Sequence, residues 1–176
     1  MATGGVLIGG LPGVAPSAQS PEQDVEVLNF VLELERIQEA FYAEALESLS
    51  LSQEWREFAR VVGGQERAHR AFVEGALRDA ARSAPELDFD DLLSDQASFQ
   101  AAAVELEDIS VAAYNGQATN LTPRGLAAAA RIASVESRHA AWARDLAGMT
   151  PAPLGSDRAF GAERARAALV DAGLAR

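Results

Sequence analysis

The sequence predicts an all-α protein: an antiparallel four-helix bundle with a long crossover between helices 2 and 3 and a short C-terminal helix. Three observations carry that expectation. The phrase Glu33-Leu34-Glu35-Arg36-Ile37-Gln38-Glu39-Ala40-Phe41-Tyr42 returns 72 positions later as Glu105-Leu106-Glu107-Asp108-Ile109-Ser110-Val111-Ala112-Ala113-Tyr114, both reading E-L-E-x-I-x-x-A-x-Y. Each copy is followed by a Glu-x-x-His step, Glu66 to His69 and Glu136 to His139, and these are the chain's only 2 histidines. Hydrophobic residues make up 48% of the chain but aromatics only 6%, which favours closely packed helices over a β-sandwich.

A chain of 176 residues is expected to form one bundle domain with a real core. The formal net charge of −11 argues against nucleic acid as a partner, since phosphate binding needs a basic surface. With no cysteine, disulfides, iron–sulfur clusters and thiol catalysis are excluded.

Residues 1–19 carry no charged side chain and are rich in Gly, Ala and Pro. Their apolar part is too short and interrupted to span a bilayer. It resembles the core and small-residue cleavage zone of a secretory signal, around Ala15-Pro16-Ser17, without the basic start. The segment is therefore a truncated signal, implying the periplasm or cell envelope, or a flexible tail on a cytoplasmic protein. Residues 20–150 are expected to form the bundle and residues 151–176 an extension.

Ser20-Pro21-Glu22-Gln23 has an N-cap, a proline at the first helical position and a capping-box glutamine. Helix 1 should run from Pro21 to about Leu49, with Leu28, Val31, Glu35, Gln38, Tyr42, Ala45 and Leu49 on its inward stripe. Helix 2 should start after Ser50 or Ser52 and reach about Arg82, its stripe being Ala59, Val62, Glu66, His69, Val73 and Ala76. Within it, Gly63-Gly64 marks either the close approach of another helix or a local π-type distortion. Ser83 to Asp91 reads as the crossover. Helix 3 should begin near Ser94 and end around Asn115-Gly116, with Ala103, Glu107, Ser110 and Tyr114 inward. Thr122-Pro123 caps helix 4, whose stripe is Ala129, Ile132, Glu136, His139, Ala143 and Leu146, and Gly148 with Pro151 ends it. A short amphipathic helix from Ala162 to Ala172 should pack across the bundle.

Glu35, Glu66, Glu107 and Glu136 each fall where an apolar seam calls for Leu or Val. His69 and His139 lie one turn further along the same faces, because residues three apart are helix neighbours. A lone buried Glu or His rarely binds metal, but six on four seams in duplicate register form a cluster that could not stay fully ionised unaided. Two cations would resolve it, and carboxylate with imidazole suits iron or manganese. Tyr42 and Tyr114, two turns beyond their glutamates, and Gln38 and Ser110, one turn beyond, are candidates to hydrogen-bond the ligands. Arg36, Arg67 and Arg138 are assigned no chemistry, and Trp55 and Trp142 are read as core or interface.

The order Glu, Glu-x-x-His, Glu, Glu-x-x-His, with Tyr seven after the first and third Glu, resembles the ferritin-like di-iron carboxylate superfamily. LELERIQEAFY and ELEDISVAAYNG look most like small bacterial ferritin-like domains related to desiccation-associated proteins. The resemblance implies a ligand set of Glu35, Glu66, His69, Glu107, Glu136 and His139, with Glu66 and Glu136 bridging. The absence of Cys removes the rubredoxin-like module of rubrerythrins. The only methionines, Met1 and Met149, leave no haem ligand of the bacterioferritin kind on helix 2. The function expected is binding of two Fe ions (Mn or mixed Mn/Fe as alternative) and reaction with O2 or peroxide, as a ferroxidase or scavenger in stress protection. A non-catalytic stress or envelope protein and iron storage in a multimeric shell are the alternatives, and any small assembly is expected to be a homodimer.

Overall fold

The computed structural model describes residues 19–176. The signal-or-tail segment read at residues 1–19 thus lies outside the described residues, apart from Gln19. Helix α1 (Pro21–Ser48) pairs with α2 (Gln53–Leu77), α3 (Gln96–Gln117) pairs with α4 (Pro123–Leu146), and α5 (Ala162–Asp171) lies against α3. No described helix is long and apolar enough to cross a membrane.

Each bundle helix starts on a side chain that accepts one of its unpaired N–H groups. Ser20 accepts from Gln23, Ser52 from Trp55, Asp95 from Ser98 and Thr122 from Gly125. Pro21 and Pro123 open α1 and α4, where a missing N–H leaves nothing unpaired. Asp24 ties these two starts together, accepting from the Thr122 N–H at 2.8 Å and its hydroxyl at 2.6 Å.

Three boundaries differ from expectation. Helix α2 stops at Leu77, and a 3-10 turn, Arg78–Ala80, follows. The buried Asn29 amide of α1 causes this by taking the departing backbone, donating to the Ala80 carbonyl at 3.0 Å and accepting from the Arg82 N–H at 2.8 Å. Arg78 pivots there at φ 52°, a conformation strained for a residue with a Cβ. Ala76 is consequently exposed and Leu77 buried in its stead. The crossover, expected over Ser83 to Asp91, spans residues 81–95, because the 3-10 turn ends at Ala80 and α3 begins at Gln96, close to the Ser94 expected. Helix α3 also runs through Asn115-Gly116 to Gln117.

Gly116 serves close packing rather than helix termination. A Cβ there would sit 1.8 Å from the Phe160 carbonyl oxygen, and the Phe160 N–H donates to the Ala112 carbonyl at 2.7 Å. The passage before α5 is thereby laid directly on α3. Gly63 is likewise a close approach: its Cβ would lie 2.9 Å from Tyr42 Cβ, and α2 is helical throughout. The π-type alternative is thus set aside.

Helices α1 and α3 bury more than the single stripe read from sequence. Beyond the inward faces, Phe30, Leu34, Ile37 and Phe41 on α1 and Phe99, Leu106, Ile109 and Ala113 on α3 are also buried. Phe89 and Leu93 of the crossover and Phe160, Ala165, Leu169 and Leu174 of the C-terminal segment join them in one cluster. Phe41 is its centre, stacked on Phe99 and edge-on to Phe89, both with ring centroids 5.4 Å away. A second cluster, with Val31, Leu32, Val73, Leu77, Leu121 and Ile132, fills the opposite end of the bundle. The glutamates and histidines lie between the two.

Replacing Gly116 by Ala should force the Phe160 backbone off α3, destabilising the protein by about 1–3 kcal/mol or more. Gly64 is exposed with nothing within 4 Å of its would-be Cβ, so Gly64→Ala should stabilise by about 0.5–1 kcal/mol. Urea unfolding followed by circular dichroism checks both signs.

Candidate metal centre

All six predicted ligand residues meet in one layer. Glu35, Glu66, Glu107 and Glu136 have no exposed surface, and His139 is 3% exposed. Two overlapping groups result: Glu35, Glu66, His69 and Glu136, and Glu66, Glu107, Glu136 and His139, each with ligand atoms within 4.8 Å of one another. Glu66 and Glu136 belong to both. His69 Nδ1 lies 3.0 Å from Glu66 Oε2, 3.0 Å from Glu136 Oε1 and 3.3 Å from Glu35 Oε2. His139 Nδ1 lies 2.8 Å from Glu66 Oε1, 3.7 Å from Glu107 Oε2 and 3.9 Å from Glu136 Oε1. The imidazole rings are tilted 30° to one another, with centroids 6.1 Å apart.

The duplicated phrases face one another across the bundle. Tyr42 on α1 donates its hydroxyl proton to Glu107 Oε1 on α3, and Tyr114 on α3 donates to Glu35 Oε1 on α1. This reciprocity makes the two helices antiparallel and leaves the other oxygen of each glutamate facing the centre. The Gln38 amide donates to Glu136 Oε2 at 3.1 Å and to the Glu107 carboxylate at 3.3 Å. The Ser110 hydroxyl lies 3.0 Å from Glu136 Oε2 and 3.2 Å from Gln38 Oε1, and donates to one at a time. Trp55 and Trp142 flank Phe58 in the apolar cluster, away from the carboxylates. Arg36 pairs with Glu74 and Arg67 with Glu39 at the periphery, and Arg138 is exposed.

One contact escaped the sequence reading. Gln65 Oε1 lies 2.6 Å from His139 Nε2, on the side of the ring away from the carboxylates. Helical periodicity puts Gln65 on the outer face of α2, and only the packing of α4 alongside brings His139 within its reach.

Burial dominates the protonation of the layer. It raises Glu35 and Glu107 well above the usual carboxylate range, and the neighbouring Glu66 and Glu136 add to the effect. Glu66 is pushed to about 7 by burial and by Glu136. For Glu136, burial is outweighed by the His69 hydrogen bond and the charge of the imidazoles, and its value falls. Burial opposes charge on His69, yet its contacts with Glu136, Glu35 and Glu66 push it up to about 12. His139 is lowered, chiefly by burial. Both tyrosines are raised by burial and by the carboxylates they touch, so their hydroxyls remain donors.

These residues fit a pair of cations. Glu35 Oε2, Glu66 Oε1, Glu136 Oε1 and His139 Nδ1 are buried without an aligned hydrogen bond. Such orphaned acceptors cost about 1–3 kcal/mol apiece, which coordination to a metal would offset. Carboxylate oxygen and imidazole nitrogen suit iron and manganese.

A family model described as a ferritin-like domain matches residues 23–149. The chain belongs to the ferritin-like family. No curated protein matches it. The ferritin-like span runs from the first turn of α1 through the end of α4, takes in the whole candidate centre, and ends before α5.

Glu35, Glu66 and Glu107 hold protons in the fold more strongly than in the unfolded chain, and His69 does so above its ordinary 6.5. As pH rises the unfolded chain loses those protons first, so stability of the metal-free protein falls from the carboxylate range upward. Glu136 and His139 oppose this only at lower pH, since their values are depressed. Metal binding needs deprotonated ligands and strengthens in the same direction. Thermal melts at about pH 5.5 and pH 8 should therefore show a larger Mn(II)-induced rise at pH 8, together with a lower metal-free midpoint.

Proposed function

We propose that this ferritin-like protein binds two iron ions, with manganese or a mixed pair as the alternative, and uses them to consume O2 or peroxide in protection against oxidative stress. Glu35, Glu66, His69 and Glu136 would hold one ion, and Glu66, Glu107, Glu136 and His139 the other. The observation that carries this reading is the sharing of Glu66 and Glu136 between two buried groups whose free acceptor atoms face one centre. Bound Fe(II) would supply the electrons that reduce the oxidant.

The chain's own part is positioning and shielding from solvent. Tyr42 and Tyr114 hold Glu107 and Glu35 by one oxygen each and leave the other for coordination. Gln38 and Ser110 steady Glu136 at Oε2, leaving Oε1 toward the histidines. The apolar clusters on either side shield the four carboxylates from bulk water, which strengthens each electrostatic contact among them. Both phenols stay neutral and so keep donating those hydrogen bonds.

Anaerobic Fe(II) addition followed by O2 should give a transient absorbance and stoichiometric oxidant loss. The double variant Glu66→Gln with Glu136→Gln should reduce both to the rate of Fe(II) in buffer. Two bound metals with no oxidant consumed would overturn the redox reading.

A further inference from the structure

The two halves of the centre are not alike, although the chain is duplicated. His139 Nε2 meets the Gln65 amide oxygen at 2.6 Å. An amide oxygen only accepts, so Nε2 carries the hydrogen and the Nδ1 lone pair is turned toward Glu66 and the centre. In the second copy of the motif Val135 stands where the first has Gln65, one residue before the glutamate. Valine has no acceptor, and among the described residues nothing accepts from His69 Nε2.

The remaining ligands follow the same division. From outside the ligand set, Glu107 is held by both Tyr42 and Gln38, whereas among the described residues Glu35 is held only by Tyr114. The His69 side chain is 12% exposed against 4% for His139. A cavity of about 260 Å³ between α2 and α4 reaches His69, walled by Ala68, Phe72, Ala128, Arg131 and Ile132. One imidazole is locked into the core; the other stands at an opening.

We propose, building on the two-metal reading above, that the half-sites fill in order. The Glu66–Glu107–Glu136–His139 half-site binds first and tightly, with Gln65 as its positioning residue. The Glu35–Glu66–His69–Glu136 half-site is the exchangeable one, reached through the cavity at His69. Ligands already fixed in orientation lose less freedom on binding, which is the physical source of the difference.

The full chain, stripped with chelator, should be titrated with Co(II) alone and followed by visible absorption and calorimetry. Two steps at least about 10-fold apart in affinity are expected. Gln65→Leu should weaken the first step by about 10–100-fold, the usual cost of losing a residue that orients a ligand histidine. Gln65→Glu, which keeps an acceptor, should retain it. Val135→Gln should tighten the second step by supplying the acceptor that copy lacks. His69→Ala should abolish only the weak step and His139→Ala the tight one, with unfolding midpoints measured alongside. Two equal steps, or a first step indifferent to Gln65→Leu, would overturn the ordering and leave the two-metal reading standing. Failure of the unaltered protein to bind Co(II) would overturn both.

Discussion

Four carboxylates share one buried layer of a helical core, and the rest of the structure answers to that fact. Stripping a carboxylate of solvent costs several kcal/mol even after relaxation, and like charges in contact add to it. The fold meets this with two tyrosine hydroxyls, a glutamine amide, a serine hydroxyl and two imidazoles, each touching at least one of the acids. Without metal, retained protons and a charged His69 balance the layer. Cations would take over that role, which makes the layer expensive when bare and favourable when filled.

Much of this was legible in the chain because the same ten-residue phrase occurs twice. A duplicated helix pair places equivalent residues on opposite sides of a common axis, so spacing along the chain becomes proximity in the core. Glu35 with Tyr114 and Glu107 with Tyr42 are consequences of that rule. The interruption of apolar stripes by acids at matching register was the second legible sign.

The unreadable parts act between elements rather than along one. Gln65 sits on an outer helix face by periodicity, and its importance depends on where a different helix lies. Asn29 reads as an ordinary polar residue in α1, yet it ends α2 by taking two backbone groups some fifty positions away. Gly116 has the local look of a helix stop and is instead the floor on which Phe160 rests. The second buried faces of α1 and α3 were missed for the same reason: a seam shows what faces the bundle axis, not what later segments will cover.

That covering has a practical consequence. Phe160, Ala165, Leu169 and Leu174 lie past the last residue of the ferritin-like match, yet they join the apolar cluster against α3, the helix that carries Glu107. A polypeptide trimmed to the matched span would keep every metal-facing side chain and still bare a greasy flank along that helix. The shortest length able to fold cleanly is thus set by the tail's apolar contacts, and expression boundaries are better drawn beyond Leu174 than at the edge of family likeness.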